Sequence, residues 1–206
     1  FKDLFGNNKQ YRSKRYSTKK EASDAERMFL VTSTDKVEDN NMTFKDLYDE
    51  FRNPIFKTIK KGEKPKKGEF YVTVVIAIED MDGRFLIQKR SPMKGGLWAT
   101  TGGHPKTKES SLEGILTEVK EEMGLDLDKN KIVLFDTVKT EDDFVDYYYI
   151  KCPIDEGKIV LQKEEVSDYA FKTKKELFEM FDKKMFHPKH EYMMRKCFKF
   201  LENGGI

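Results

Sequence analysis

Residues Gly103–Leu125, GHPKTKESSLEGILTEVKEEMGL, constrain this chain more than any other stretch. Leu112, Ile115, Leu116, Val119 and Met123 recur at the i, i+3, i+4, i+7 spacing of one buried helical face. Ser110 followed by Glu113 is a capping-box arrangement, and Gly124 stands where a helix C-terminal glycine belongs. Glu118 and Glu122 share the flank beside the apolar stripe, at about 100° per residue, with Glu121 further round. Carboxylates crowded this closely repel one another unless positive charge sits among them, so the pattern asks for a cation.

Such a helix must bury its stripe, and the flanking sequence offers a sheet. Phe70–Glu79 (FYVTVVIAIE) is β-branched and nearly all apolar, which predicts a strand buried on both faces. Asp82-Gly83 signals a turn, and Arg84–Arg90 returns as a second strand. Paired glycines at 95–96 and 102–103 bracket a short strand containing Trp98. Upstream, Tyr48–Ile55 reads as a small strand pair turning at Arg52–Pro54. Downstream, Lys131–Thr140, Asp143–Cys152, Lys158–Gln162 and Tyr169–Thr173 read as strands. Helices are expected from Lys174 to Phe181 and from His190 to Glu202. Strands interleaved with helices predict α/β layers around a mixed sheet.

The 206 residues allow one domain with an extension, or two small ones. With 37% hydrophobic and 37% charged residues the chain reads as soluble and globular, and a net charge of +2 gives no bulk attraction to nucleic acid or membrane. No apolar run approaches the roughly 20 residues of a bilayer span. Cys152 and Cys197 read as reduced, mostly buried thiols of a cytoplasmic protein. The chain opens on Phe1 rather than Met, so it is read as part of a longer or processed one. Residues 1–43, with Lys9, Arg12, Lys14, Arg15, Lys19 and Lys20 close together, predict a polar, partly disordered N-terminal extension rather than a nucleic-acid arm. The basic loop Lys60–Gly68 has two readings, an exposed connector or a phosphate-attracting lip.

The opening stretch resembles the Nudix box. Gly103, Glu109, Glu118, Val119, Glu121, Glu122, Gly124 and Leu125 fall in that pattern's register, and one defined position departs: Thr117 stands where the family has arginine. The resemblance implies a Nudix-type α/β/α sandwich with a mixed central sheet in residues 44–206. It also implies a Mg²⁺- or Mn²⁺-dependent hydrolase cutting a diphosphate bond, commonly in a nucleoside diphosphate derivative. Glu118, Glu121 and Glu122, with the Gly103 backbone, are then the expected metal ligands. The family often takes its proton acceptor from outside the box, which points to Glu164 or Glu165, with Glu165 favoured.

Glu109 and residue 117 are the box-stabilising pair, and threonine cannot make arginine's two-pronged contact with a carboxylate. Lys106, Lys108 or Lys120 is the expected substitute charge. Arg90 and His104 are expected near the phosphates. Trp98, Tyr147 and Tyr149 are candidates for stacking on a base, though each also reads as a core aromatic. The expected partner is a small-molecule diphosphate, with homodimerisation left open.

Two other readings compete. LeuTrpAlaThrThrGlyGlyHisPro is similar to a segment of isopentenyl diphosphate isomerase, but Gly102 occupies the cysteine position and only His104 matches a ligand position. The other is a nucleotide-binding module in which the altered box no longer cleaves.

Overall fold

Strand β3, Tyr71–Glu79, runs through the middle of the sheet because its two faces are both apolar. In this computed structural model, which describes residues 44–205, β4 (Arg84–Arg90) folds back antiparallel to it through the Asp82-Gly83 turn, with the bounds the sequence predicts. On the other side β8 (Asp143–Lys151) lies parallel to β3 over its whole length, from Tyr71 beside Asp143 to Glu79 beside Lys151. β7 (Val133–Lys139) pairs antiparallel with β8, and β9 (Val166–Thr173) with β4. The expectations placed on residues 1–43 lie outside the described residues.

Helix α1, Ser111–Met123, covers one face of this mixed sheet. Ser110 and Glu113 form the expected capping box, and the Gly124 N–H donates to the Lys120 carbonyl at the other end. Ile115, Val119 and Met123 are fully buried against Val74, Ile76, Ile78, Leu86 and Ile150. Each contributes roughly 1.5–3 kcal/mol relative to exposure. The opposite face is closed by α2 (Lys174–Asp182) and α3 (Pro188–Glu202), whose Leu177, Phe181, Met193, Cys197 and Phe198 pack on Val75, Ala77, Phe85, Ile87 and Tyr149. The layers are therefore helix, sheet, helices. Among the described residues no helix is long and apolar enough to cross a membrane.

Two expectations are corrected. The single strand around Trp98 is two, β5 (Trp98–Ala99) and β6 (Thr101–Gly103), because they pair with different neighbours: β5 with β4, β6 with β3. Lys158–Gln162 is not a strand. Its N–H groups serve the end of α1 instead, Val160 donating to the Met123 carbonyl (3.0 Å) and Gln162 to that of Glu122 (3.2 Å).

The upstream hairpin is longer than expected, β1 (Phe44–Tyr48) and β2 (Pro54–Lys60) around a turn at 49–53. Arg52, in the left-handed region at φ 65°, sends its guanidinium to both oxygens of Asp146, which is fully buried. Thr137 and Ser111 hydroxyls also donate to Asp146, and the Tyr148 hydroxyl donates to Ser111 (2.7 Å). One carboxylate thus ties the hairpin to the sheet and to the first residue of α1. Burying it is tolerable because every lone pair finds a donor.

Candidate active site

The box helix turns its carboxylates toward a cleft of about 670 Å³, and loops from three other parts of the chain complete it. Gly103, at the end of β6, supports one wall. A Cβ built there would collide with the Glu118 carboxylate, so only glycine lets the backbone come this close to that side chain. The His104 N–H donates to Glu118 Oε1 (3.0 Å). Glu122, one turn further on, is buried and accepts from the Gln88 amide (2.8 Å), which also accepts from the Thr101 hydroxyl (3.1 Å). Burial first, then the charges of Glu118 and Glu165, push the Glu122 carboxyl up to about 8, against the pull of Gln88. Burial likewise raises Glu118.

Glu165 reaches the same cleft from the segment before β9, whereas Glu164 is exposed outside it. Burial opposes ionisation of Glu165, but a hydrogen bond and charge from Lys94 (2.8 Å), with Lys61 at 3.9 Å, outweigh it and bring the group below its ordinary value. Glu121 is more exposed and paired with Lys106. Among the described residues no three carboxylate, histidine or cysteine side chains aim at one centre. Each carboxylate has instead found its own donor: Gln88, Lys106, Lys94 or the His104 backbone.

Oxygen donors of this kind suit a hard divalent cation. The fit also rests on Glu122, a buried acid that accepts from a neutral amide rather than a cation, beside a second partly buried acid and a backbone brought close by glycine. Glu118, Glu122 and the Gly103 backbone match such an ion in donor type, with Glu121 free to join by leaving Lys106.

The pair Glu109 and Thr117 does meet. The Thr117 hydroxyl donates to Glu109 Oε1 (2.9 Å), and the Lys106 N–H donates to Oε2 (2.8 Å). Both oxygens of Glu109 are therefore engaged although the arginine is missing. Lys106 supplies this bond through its backbone, not as the substitute charge expected of its side chain, which goes to Glu121. Lys120 caps the helix end at Gly124 and pairs with Asp126, while the Lys108 N–H donates to Asp46.

Arg90 and His104, the residues expected near the phosphates, both line the cleft. Burial first, then the charges of Lys45 and Lys61, lower His104 to about 4, so it is neutral near pH 7. Trp98 is not brought to the cleft. Its backbone is strapped to the loop between α2 and α3, donating to Met185 (3.0 Å) and accepting from His187 (2.7 Å), and its ring lines a separate hollow near Lys172 and Met180. Tyr147 and Tyr149 are core residues, the latter donating its hydroxyl to Glu79 (2.6 Å). His187 and His190 meet edge to face at 5.1 Å, with His190 bonded to Thr100, and do not line the cleft with His104.

Several contributors went unread in the sequence. Gln88 holds Glu122, and its only signal was a lone amide among apolar strand residues. Gly114, where a Cβ would lie 2.6 Å from Pro105, lets the box loop pack on α1. A glycine inside a helix costs about 1 kcal/mol against alanine, and that cost was its signal. Lys45, Lys61 and Lys94 line the cleft as well, so six cationic side chains surround four carboxylates there.

Comparison with known proteins agrees with this geometry. Residues 69–197 match the family described as NUDIX domain. Uncharacterised Nudix hydrolases from Listeria monocytogenes and Listeria innocua are each 35% identical over 136 residues, covering 64% of this chain and 80% of theirs. The crystal structure of DR0079 from Deinococcus radiodurans shares the fold with a TM-score of 0.60 at 16% identity, over 74% of this chain and 98% of that one. The chain that folds this box against this sheet belongs to the Nudix hydrolase family.

Proposed function

We propose that residues 44–206 form a divalent-metal-dependent pyrophosphohydrolase domain, with residues 1–43 as an extension, acting on a small molecule that carries a diphosphate. A nucleoside diphosphate derivative is the expected substrate class, and Mg²⁺ or Mn²⁺ the expected ion. The observation that carries this reading is the convergence of Gly103, Glu118, Glu121, Glu122 and Glu165 on one cleft whose remaining charged walls are cationic. A bound divalent ion would neutralise diphosphate charge and make an attacking water more acidic.

Glu118 and Glu122 with the Gly103 backbone would hold that ion, and Glu121 would complete the set. Glu165, ionised at neutral pH, accepts the proton of the water as its oxygen bonds to phosphorus and the bridging P–O bond breaks. Arg90 and Lys94 offset the charge that develops on the departing phosphate. Glu109, held by Thr117 and Lys106, keeps the loop in register with the helix. A cytoplasmic location accords with the unpaired Cys152 and Cys197.

The satisfied Glu109 removes the main support for a non-cleaving module, and the separation of the histidines gives no support to the isomerase. The test is a hydrolysis screen over ADP-ribose, dinucleoside polyphosphates, nucleoside triphosphates and prenyl diphosphates, with EDTA, Mg²⁺ or Mn²⁺. Metal-dependent release of phosphate or nucleoside monophosphate is expected. Tight binding with no turnover under any metal, or conversion of isopentenyl diphosphate, would overturn the proposal.

A further inference from the structure

The carboxylates, Arg90 and Lys94 leave one wall of the cleft unexplained. It is built from Lys45 on β1 and Lys61 just after β2, both upstream of the residues that match the family. Lys45 is only 4% exposed, yet it lines the cleft. Its Nζ stands 3.6 Å from the centre of the Tyr71 ring, and no carboxylate among the described residues lies within the 4.0 Å of an ion pair. A buried ammonium needs a counter-charge, and a cation–π contact supplies only part of it. Burial pulls Lys45 below its ordinary value, with Asp143 opposing and Lys61 adding to the pull, so the two lysines are near enough to repel. Among the described residues Lys61 itself has one loose ion pair, 3.9 Å from Glu165.

The hairpin is held firmly where it places these charges. The Thr107 N–H donates to the Phe44 carbonyl (3.2 Å) and the Lys108 N–H to Asp46 (2.9 Å), so β1 is bonded to the loop between Gly103 and Glu109 on both sides of Lys45. Two repelling ammonium groups, one of them buried, on the wall of one cleft would be reconciled by an anion lying between them. Lysines serve phosphate as point charges, without the planar fork that favours a carboxylate.

We propose that Lys45 and Lys61 form a second phosphate subsite, so that the substrate carries at least one phosphate group beyond the diphosphate that is cut. The subsite shares its cleft with the proposed hydrolase site and rests on that reading for the position of the scissile diphosphate. The extra phosphate is either a third member of the chain or a monoester on the attached group.

Calorimetry on the full chain in Mg²⁺ tests this with non-hydrolysable ligands. Diimidotriphosphate is expected to bind at least about tenfold more tightly than imidodiphosphate, and Lys45→Met to erase the difference while sparing imidodiphosphate. Inorganic phosphate titrated into protein saturated with imidodiphosphate separates the two sources. Lys45-dependent binding of free phosphate marks a monoester subsite, and gain with the chained ligand alone marks a triphosphate. Should Lys45→Met fail to fold, the more exposed Lys61→Gln carries the same test, with the expected loss smaller but in the same direction. No extra affinity from the further phosphate, or an advantage that survives both substitutions, would overturn the proposal. Neither analogue is turned over, so this result is independent of whether the hydrolysis screen finds turnover.

Discussion

The two faces of the central sheet are made from the same strands and solve opposite problems. On β4, Phe85 and Ile87 point to α2 and α3, while Leu86 and Gln88 point to α1. The α2–α3 side closes over aromatic and aliphatic side chains, with Phe85, Phe178 and Phe181 in edge and stacked contacts around Phe198 and Phe186. The α1 side begins the same way with Ile115, Val119 and Met123, but at its open end it sets Gln88 under a buried Glu122 and brings the Gly103 backbone onto Glu118. One face spends its burial on packing. The other gives up packing at one end to hold ionisable oxygens in place, and that end is where chemistry is possible.

If this division is right, damage to the two faces should be separable. The largest stability effect is expected from Leu177→Ala on the α2–α3 side, where a fully buried side chain is lost. Denaturant melts should show about 3 kcal/mol of destabilisation, with kcat of the remaining folded protein unchanged. A fall in kcat without loss of stability would break the comparison.

A smaller effect comes from acid. His190 is buried on the α2–α3 side against Thr100 (2.9 Å), and burial, with the charges of His187, Arg90 and Lys189, lowers it to about 3. Its folded value lies below that of the unfolded chain, so its contribution is complete above about pH 6.5 and declines as the pH falls. Between pH 7.5 and 5.5 the loss attributable to His190 should be about 1–1.5 kcal/mol. His190→Asn should flatten the stability-versus-pH curve over that range. An equally steep curve in the variant would remove His190 from the account.

The smallest effect sharpens the other face. Thr117→Arg should raise kcat by a few-fold, on the order of 1 kcal/mol or less, because a fork would replace one of the two single bonds that hold Glu109. A steady-state comparison at saturating substrate reads it, and a lower kcat would mean that threonine and the Lys106 backbone already hold Glu109 as well as arginine would.

Local signals carried much of this architecture. The bounds of β4 and the two caps of α1 were legible because turn and cap chemistry is written in adjacent residues. The box carboxylates were legible because helical spacing alone places them on neighbouring flanks. What escaped depends on distant partners. Lys158–Gln162 has a strand's composition, but its N–H groups are claimed by the end of α1. Trp98 was drawn to the cleft by its neighbours in sequence, and the pairing of β5 with β4 and with the loop before α3 carries it elsewhere. Lys45 alternates with Leu47 on the inward side of a short strand, a place where lysine gives no sign of being buried until the hairpin is docked on the box loop. Glu164 and Glu165 are alike in sequence, and it is the fold that exposes the first and leaves the second half-buried in the cleft.

The central claim is that the open end of the α1 face exists to hold a divalent ion for diphosphate hydrolysis, and Glu122→Gln addresses it most directly. The account predicts that the variant loses Mn²⁺ binding and about a thousandfold or more of metal-dependent turnover. Its melting temperature should stay equal to the wild type's or rise, because a neutral amide beside Gln88 avoids the cost of either burying a carboxylate or protonating it on folding. Undiminished Mn²⁺ binding and turnover in a folded Glu122→Gln protein would contradict it.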